Sequence, residues 1–132
     1  MNFGQIMQSA NEGNPVSRLL GLRIVELDAS RSVGVLTATE NLLNPYGYLH
    51  GGVIYTLADT ATGVLSRTSG KKNVTLEGNL NFLKGVPGGE TIRAVAGKLH
   101  EGKKTGVYTV QISNEKEEVV AAGIFTMFFI EN

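Results

Sequence analysis

The sequence contains no cysteine and no tryptophan, and it has no excess of charge of either sign. Without cysteine the chain forms no disulfide and offers no thiolate to a metal, which is compatible with a reducing compartment. Twelve basic residues balance twelve acidic ones, so the charge pattern of a general nucleic-acid binder is missing. No apolar run approaches the ~20 residues that cross a bilayer, and the N-terminus lacks a secretory signal. We therefore expect a cytoplasmic protein that binds neither nucleic acid nor membrane.

What is present is a chain of 132 residues, 42% of them hydrophobic, which suits a single globular domain over 1–132. Helical spacing predicts a short helix over 3–12 and one long helix that follows residue 50 and ends near Ser69 and Gly70. A short turn that Gly21 closes lies between them. Turn residues separate six predicted strands, at 21–28, 32–40, 73–83, 90–100, 105–113 and 119–130. This order predicts an α+β fold in which a curved antiparallel β-sheet wraps around one long central helix.

The long helix has two unlike faces. At ~100° per residue, apolar side chains form one stripe, and a carboxylate, Asp59, lies almost opposite its centre. A solvated surface charge is the plain interpretation of that position. The neighbours argue against it, because they are all small and no basic or long polar side chain accompanies them: Gly52, Thr56, Gly63 and Ser66. Such a face suits the close approach of another chain or of a ligand.

Two glycines, Gly51 and Gly52, open the same helix. Their amides can polarise an acceptor at the positive end of the helix dipole, although a tight turn into the helix would also explain them. Eight residues separate Gly51 from Asp59, which places them about 12 Å apart along the axis. One reacting carbonyl cannot touch both groups of a single helix. If both act together, a second copy of the helix must run antiparallel beside the first, in a two-fold dimer.

A motif spans this region: Asn44, then His50-Gly51-Gly52, then Ala58-Asp59, Ala61 and Gly63. The motif resembles that of the hotdog-fold acyl-CoA thioesterases of the PaaI-like, phenylacetate-pathway group. The resemblance continues through VTLEGNLNFLKGVPGGETIRAVAGKLHEGKKTGVYTVQI and covers about residues 15–130. It implies a hotdog fold, a homodimer or a dimer of dimers (a homotetramer), an acyl-CoA substrate, and no metal or separate cofactor.

The resemblance also implies roles. Asp59 would attack the thioester carbonyl or activate a water, and the Gly51 amide of the other subunit would stabilise the oxyanion. His50 and Asn44 would orient the thioester, the water or the loop, and Thr75 would help to hold the water near the carboxylate.

Further candidates for substrate or coenzyme A contacts are Gly52 and Gly63 on the helix, Asn81 and Phe82 on a strand, and Lys103 and Lys104 at a hairpin tip. The lysines could meet phosphates, or could simply be a charged tip. Phe82 could belong to the core or to the wall of an acyl pocket.

Three functions stay open at this point. The first is an acyl-CoA thioesterase that acts across a dimer interface. The second is a non-catalytic acyl-CoA-binding sensor, and the third is a hotdog hydratase or dehydratase. The residues Asn44, His50, Gly51 and Asp59 favour the thioesterase.

Overall fold

The computed structural model describes residues 1–130 and contains, within them, three α-helices and six β-strands. The helices are α1 (Phe3–Glu12), α2 (Pro15–Leu20) and α3 (Gly51–Arg67). The strands are β1 (Arg23–Leu27), β2 (Arg31–Thr37), β3 (Lys72–Phe82), β4 (Thr91–Glu101), β5 (Thr105–Ser113) and β6 (Val119–Ile130). Residues 131 and 132 of the predicted domain lie outside the described residues.

The six strands form one antiparallel sheet in the order β1-β2-β4-β5-β6-β3. Helix α3 packs against five of the six strands (β2 to β6), so one face of the sheet surrounds it. The predicted α+β fold, with a curved antiparallel sheet around one long helix, is confirmed. No helix within residues 1–130 is both long and apolar enough to span a membrane.

The predicted elements match the observed ones, with differences at their ends. Strand β2 stops at Thr37, three residues before the predicted end, because Glu40–Leu42 form a 3-10 turn. Helix α3 ends at Arg67, where Thr68 caps it. Gly21 ends α2 in the left-handed region, with φ at 71°, as its C-cap role requires.

The buried face of α3 is rotated from the predicted stripe. Val53 and Val64, two of the apolar residues that helical spacing assigns to that stripe, are only half-buried, whereas Thr62 and Ser66 are completely buried. The prediction that Ser66 belongs to an open polar face is therefore wrong. Because the buried residues include Thr62, three positions after Asp59, the carboxylate lies at the border of the buried face and next to β3.

The N-terminal helix is fixed to the free edge of β1 by one buried side chain. The Asn11 amide donates to the Ile24 carbonyl oxygen at 2.9 Å and accepts from the Ile24 N–H at 2.7 Å. These two bonds imitate the pairing that a further strand would give. They hold α1 against the end of the sheet, where it also contacts α3.

Candidate active site

Asp59 lies in the middle of α3, half-buried, with its carboxylate directed towards β3. The hydroxyl of Thr75 donates to Asp59 Oδ1 at 2.5 Å. The Thr62 hydroxyl bonds to the carbonyl oxygens of Ala58 and Asp59, at 2.9 and 3.0 Å, and thereby hydrogen-bonds within its own turn of helix. The carboxylate is therefore held by the sheet of its own chain through one donor, rather than standing on a face turned away from that sheet.

A second contact keeps β3 in register with α3. Asn73 Nδ2 donates to the carbonyl oxygen of Gly63 at 3.2 Å. Asn73 and Thr75 are two residues apart on a strand, about 6.6 Å, and Gly63 and Asp59 are four apart on a helix, about 6 Å. The two spacings match, so Asn73 and Thr75 of β3 can contact Gly63 and Asp59 of α3 at the same time. A Cβ built at Gly63 would lie 3.6 Å from the Asn73 amide oxygen, which is an ordinary contact distance.

A cleft of about 450 Å³ contains Asp59, Gly63 and Thr75. Helices α1 and α3 and the start of β3 line it. Two cations, Arg67 and Lys72, also line this cleft. Arg67 was not among the sequence candidates, since a cation in the last turn of a helix is ordinary in any protein.

The N-terminus of α3 presents one amide that its own chain leaves available. His50 is the N-cap, and its Nδ1 accepts the Gly52 N–H at 2.9 Å. Among residues 1–130, no acceptor takes the N–H of Gly51. The first amide of the helix is thus a donor without a partner at the positive end of the dipole. Gly52 serves a different purpose, because the imidazole approaches within 3.1 Å of where its Cβ would stand.

The loop that leads into α3 is shaped by Asn44. Its Oδ1 accepts the N–H groups of Tyr46 and Tyr48, at 2.9 and 3.1 Å. Asn44 lines a second cleft, of about 350 Å³, together with Gly51 and Phe82. Phe82 is 52% exposed, so the interpretation of this residue as core is wrong. Its ring lies beside Gly51, 3.6 Å from where a Cβ would be.

The two clefts lie at different places on α3 of one chain. The helix is continuous from Gly51 to Arg67, so the Gly51 amide and Asp59 are separated by about 12 Å along its axis, as the sequence requires. The edge strand β3 runs beside both clefts and, among residues 1–130, pairs with β6 alone. It exposes apolar side chains, with Val74 at 50% and Leu76 at 63%.

Three remaining candidates lie away from both clefts. Asn81 lines a groove on the face of the sheet opposite α3. Lys103 and Lys104 form the β4–β5 hairpin tip, where the Lys103 carbonyl accepts from Lys71 and the Lys104 carbonyl accepts from the Phe129 N–H. Neither lysine lines the cleft of Asp59 or that of Gly51.

Comparison with known proteins agrees with this geometry. The thioesterase superfamily matches residues 46–121. The acyl-coenzyme A thioesterase PaaI of Escherichia coli is 34% identical over 110 residues, which are 83% of this chain and 79% of that protein. The structure of E. coli PaaI, from the phenylacetic acid degradation operon, superposes with a TM-score of 0.94 and 30% identity, over 98% of this chain and 94% of that one. A Streptococcus mutans protein bound to acetyl-CoA superposes with a TM-score of 0.80 and 32% identity, over 84% of this chain and 90% of that one.

Helix α3 and the six-stranded antiparallel sheet curved around it form a hotdog fold like that of E. coli PaaI. The chain belongs to the thioesterase superfamily and is related to the PaaI acyl-CoA thioesterase. It is thus a thioester hydrolase.

Proposed function

We propose that this protein hydrolyses acyl-CoA thioesters to a free acid and coenzyme A in a site that two subunits share. Asp59 of one subunit and the Gly51 amide of the other form that site. The observation that carries the proposal is the available Gly51 N–H, about 12 Å along one helix axis from a carboxylate held by Thr75. The similarity to the PaaI thioesterase and to an acetyl-CoA-bound protein supports acyl-CoA as the substrate.

The carboxylate can begin the reaction by either of two routes. As a nucleophile, an Asp59 oxygen bonds to the thioester carbon, the coenzyme A thiolate leaves, and water then hydrolyses the resulting anhydride. As a general base, Asp59 takes a proton from water while the water oxygen bonds to that carbon, and the coenzyme A thiolate then leaves from the tetrahedral state. Thr75 holds one oxygen in both cases and leaves the other to react. When water attacks the anhydride at the Asp59 carboxyl carbon, a single turnover in ¹⁸O-water distinguishes the routes: the nucleophilic route leaves the product acid unlabelled and places the label in Asp59, whereas the general-base route places it in the product acid.

The tetrahedral state of either route carries a negative oxygen, which needs a donor. The Gly51 amide of the partner subunit supplies it, and the helix dipole adds to its effect. His50 fixes the first turn of α3 through the Gly52 amide, and Asn44 fixes the loop, so both act as positioning residues. No metal takes part in this proposal, and coenzyme A enters only as part of the substrate.

The shared site requires a dimer in which two copies of α3 run antiparallel. The edge of β3 is the surface that suits this pairing, because it is a long strand with one unpaired side and exposed apolar side chains. A dimer of dimers and a cytoplasmic location remain predictions from the sequence.

Thiol release from a panel of acyl-CoAs tests the proposed activity. Asp59→Asn should lose at least about a hundredfold in kcat, because a neutral amide neither attacks nor accepts a proton. Asp28, the other aspartate of the sequence, provides the matched control, and Asp28→Asn should keep wild-type rates. Equal loss in both variants, or none in Asp59→Asn, contradicts the assignment.

A further inference from the structure

Strand β3 is hydrogen-bonded to α3 at three points, of which two lie at Asp59 and Gly63. The third lies one turn before Asp59, where the Tyr55 hydroxyl donates to the carbonyl oxygen of Gly78 at 3.2 Å. Tyr55 is half-buried, and its ring centroid is 5.1 Å from that of Phe125 on β6. The three helix positions are four residues apart, about 6 Å at each step, so all three bonds follow one side of α3.

A β-bulge gives β3 the spacing that these bonds require. The β3 residues of the three bonds lie opposite alternate residues of β6, in the pairs Asn73–Phe129, Thr75–Met127 and Gly78–Phe125. They therefore share the face of the sheet that meets α3. Thr75 and Gly78 are three positions apart, however, and a regular strand would place them on opposite faces. Leu76 is the extra residue, because Thr75 and Glu77 lie opposite neighbouring residues of β6.

The bulge depends on contacts with the helix because β3 is an edge strand. On the side away from β6, no strand within residues 1–130 pairs with it. The Asn73 bond fixes β3 before the bulge, and the Tyr55 bond fixes it after the bulge. At Gly78 the two elements are in close contact, since a Cβ there would overlap the Tyr55 hydroxyl. Thr75 thus lies between two points at which α3 holds the strand.

We propose that Tyr55 is a positioning residue for the hydrolysis: its bond to Gly78 fixes β3 beyond the bulge and thereby directs the Thr75 hydroxyl at Asp59. This inference rests on the proposed function, because it takes Asp59 as the catalytic carboxylate. The hydroxyl and the methyl group of a threonine exchange places when χ1 changes by one rotamer, so the orientation of the strand decides which group faces the carboxylate. Tyr55 lines neither the cleft of Asp59 nor that of Gly51, so it acts through Thr75 and not on the substrate.

Two tyrosines provide the variant and its matched control. Tyr55→Phe removes the hydroxyl and keeps the ring beside Phe125. Tyr108→Phe makes the same change at a tyrosine whose hydroxyl donates to Glu101, and neither of these residues lines the two clefts. In thiol release, Tyr55→Phe should lower kcat about 3- to 10-fold, the size of one neutral hydrogen bond, and should leave KM within about twofold. Tyr108→Phe should keep the wild-type kcat.

A double-mutant cycle with Thr75→Val separates positioning from a general loosening of the fold. Without the Thr75 hydroxyl there is nothing for Tyr55 to direct, so adding Tyr55→Phe to Thr75→Val should change kcat by less than about 1.5-fold. Three results would overturn the inference: a wild-type kcat in Tyr55→Phe, an equal loss from Tyr55→Phe in both backgrounds, or the same loss in Tyr108→Phe.

The orientation of Thr75 can also be measured without turnover. In protein with ¹³C-labelled threonine, three-bond couplings to the Thr75 methyl carbon report χ1. Wild type and Tyr108→Phe should show one rotamer, whereas Tyr55→Phe should show an average over two. An unchanged single rotamer in Tyr55→Phe would refute the inference whatever the rates. If no thioester is hydrolysed but the couplings change as expected, the proposed activity fails while the positioning role of Tyr55 stands.

Discussion

Removing a single backbone N–H should disable the site without unfolding the protein. Gly51→Pro achieves this, because proline has no N–H and is favoured at the first position of a helix. His50, the preceding residue, has φ −61° and ψ 133°, which is the conformation that a following proline requires. A Cβ at residue 51 would stand 3.6 Å from the Phe82 ring, an ordinary contact. The substitution therefore removes the donor and puts the proline Cδ in its place, while the backbone conformation stays the same.

The loss of one oxyanion donor costs about 2.7–4 kcal/mol of transition-state stabilisation, so kcat for Gly51→Pro should fall about 10²- to 10³-fold. Gly51→Ala keeps the N–H and adds the same Cβ, and it should retain most of the activity. Steady-state thiol release measures both, and urea unfolding checks that both variants stay folded. A folded Gly51→Pro enzyme with wild-type kcat would refute the role of the amide, and equal losses in both variants would point to a steric effect instead.

Three other substitutions test the site and the fold. Thr75→Val should lower kcat about 10- to 100-fold, because the Asp59 carboxylate loses a charge-assisted hydrogen bond. Thr75→Ser keeps the hydroxyl and should retain most of the wild-type rate. Equal rates for the two variants in the thiol-release assay would rule out a role for the hydroxyl. Asn11→Leu should lower the free energy of unfolding by about 2–4 kcal/mol, since it leaves two buried backbone groups unpaired, and a urea midpoint equal to that of wild type would contradict this. Burial, together with the hydrogen bond to Glu101, holds the pKa of Tyr108 well above its usual range. The stability that this shift contributes is therefore fully present below pH ~10 and falls as pH rises above it. Tyr108→Phe should flatten the fall of the unfolding free energy with pH, and an unchanged fall would disprove the role of Tyr108.

The sheet and the long helix could be predicted because each strand and helix carries its own periodicity. Hydropathy alone predicted the wrong burial for α3 side chains, because it does not mark Thr62 and Ser66 as buried. Thr62 is tolerated in the interior because its hydroxyl bonds to the Ala58 carbonyl one turn back. Because these residues were counted as polar, the predicted apolar stripe was rotated about the helix axis. Asp59 was therefore assigned to the side of α3 away from β3, the strand whose Thr75 holds it.

The contacts across the site were harder to predict from local patterns. Thr75 and Asp59 are 16 positions apart, and only family resemblance suggested their association. Alternation along β3 assigns Phe82 to a face of the sheet, but does not reveal that β3 is an edge strand and that the ring is half-exposed. The docking of α1 on the sheet could not be foreseen, because it depends on the Asn11 amide and on a free strand edge.

The most direct test of the shared site mixes two inactive variants. Asp59→Ala and Gly51→Pro homodimers should each be inactive, since both of their sites lack one component. A mixed dimer has one site with both substitutions and one site with an intact Asp59 and an intact Gly51 amide. Denaturing the two together at equal amounts and refolding them should therefore restore about a quarter of wild-type kcat, because half of the dimers are mixed and each has one working site. Activity that stays at the level of the separate variants, in refolded dimers, would contradict a site shared between subunits.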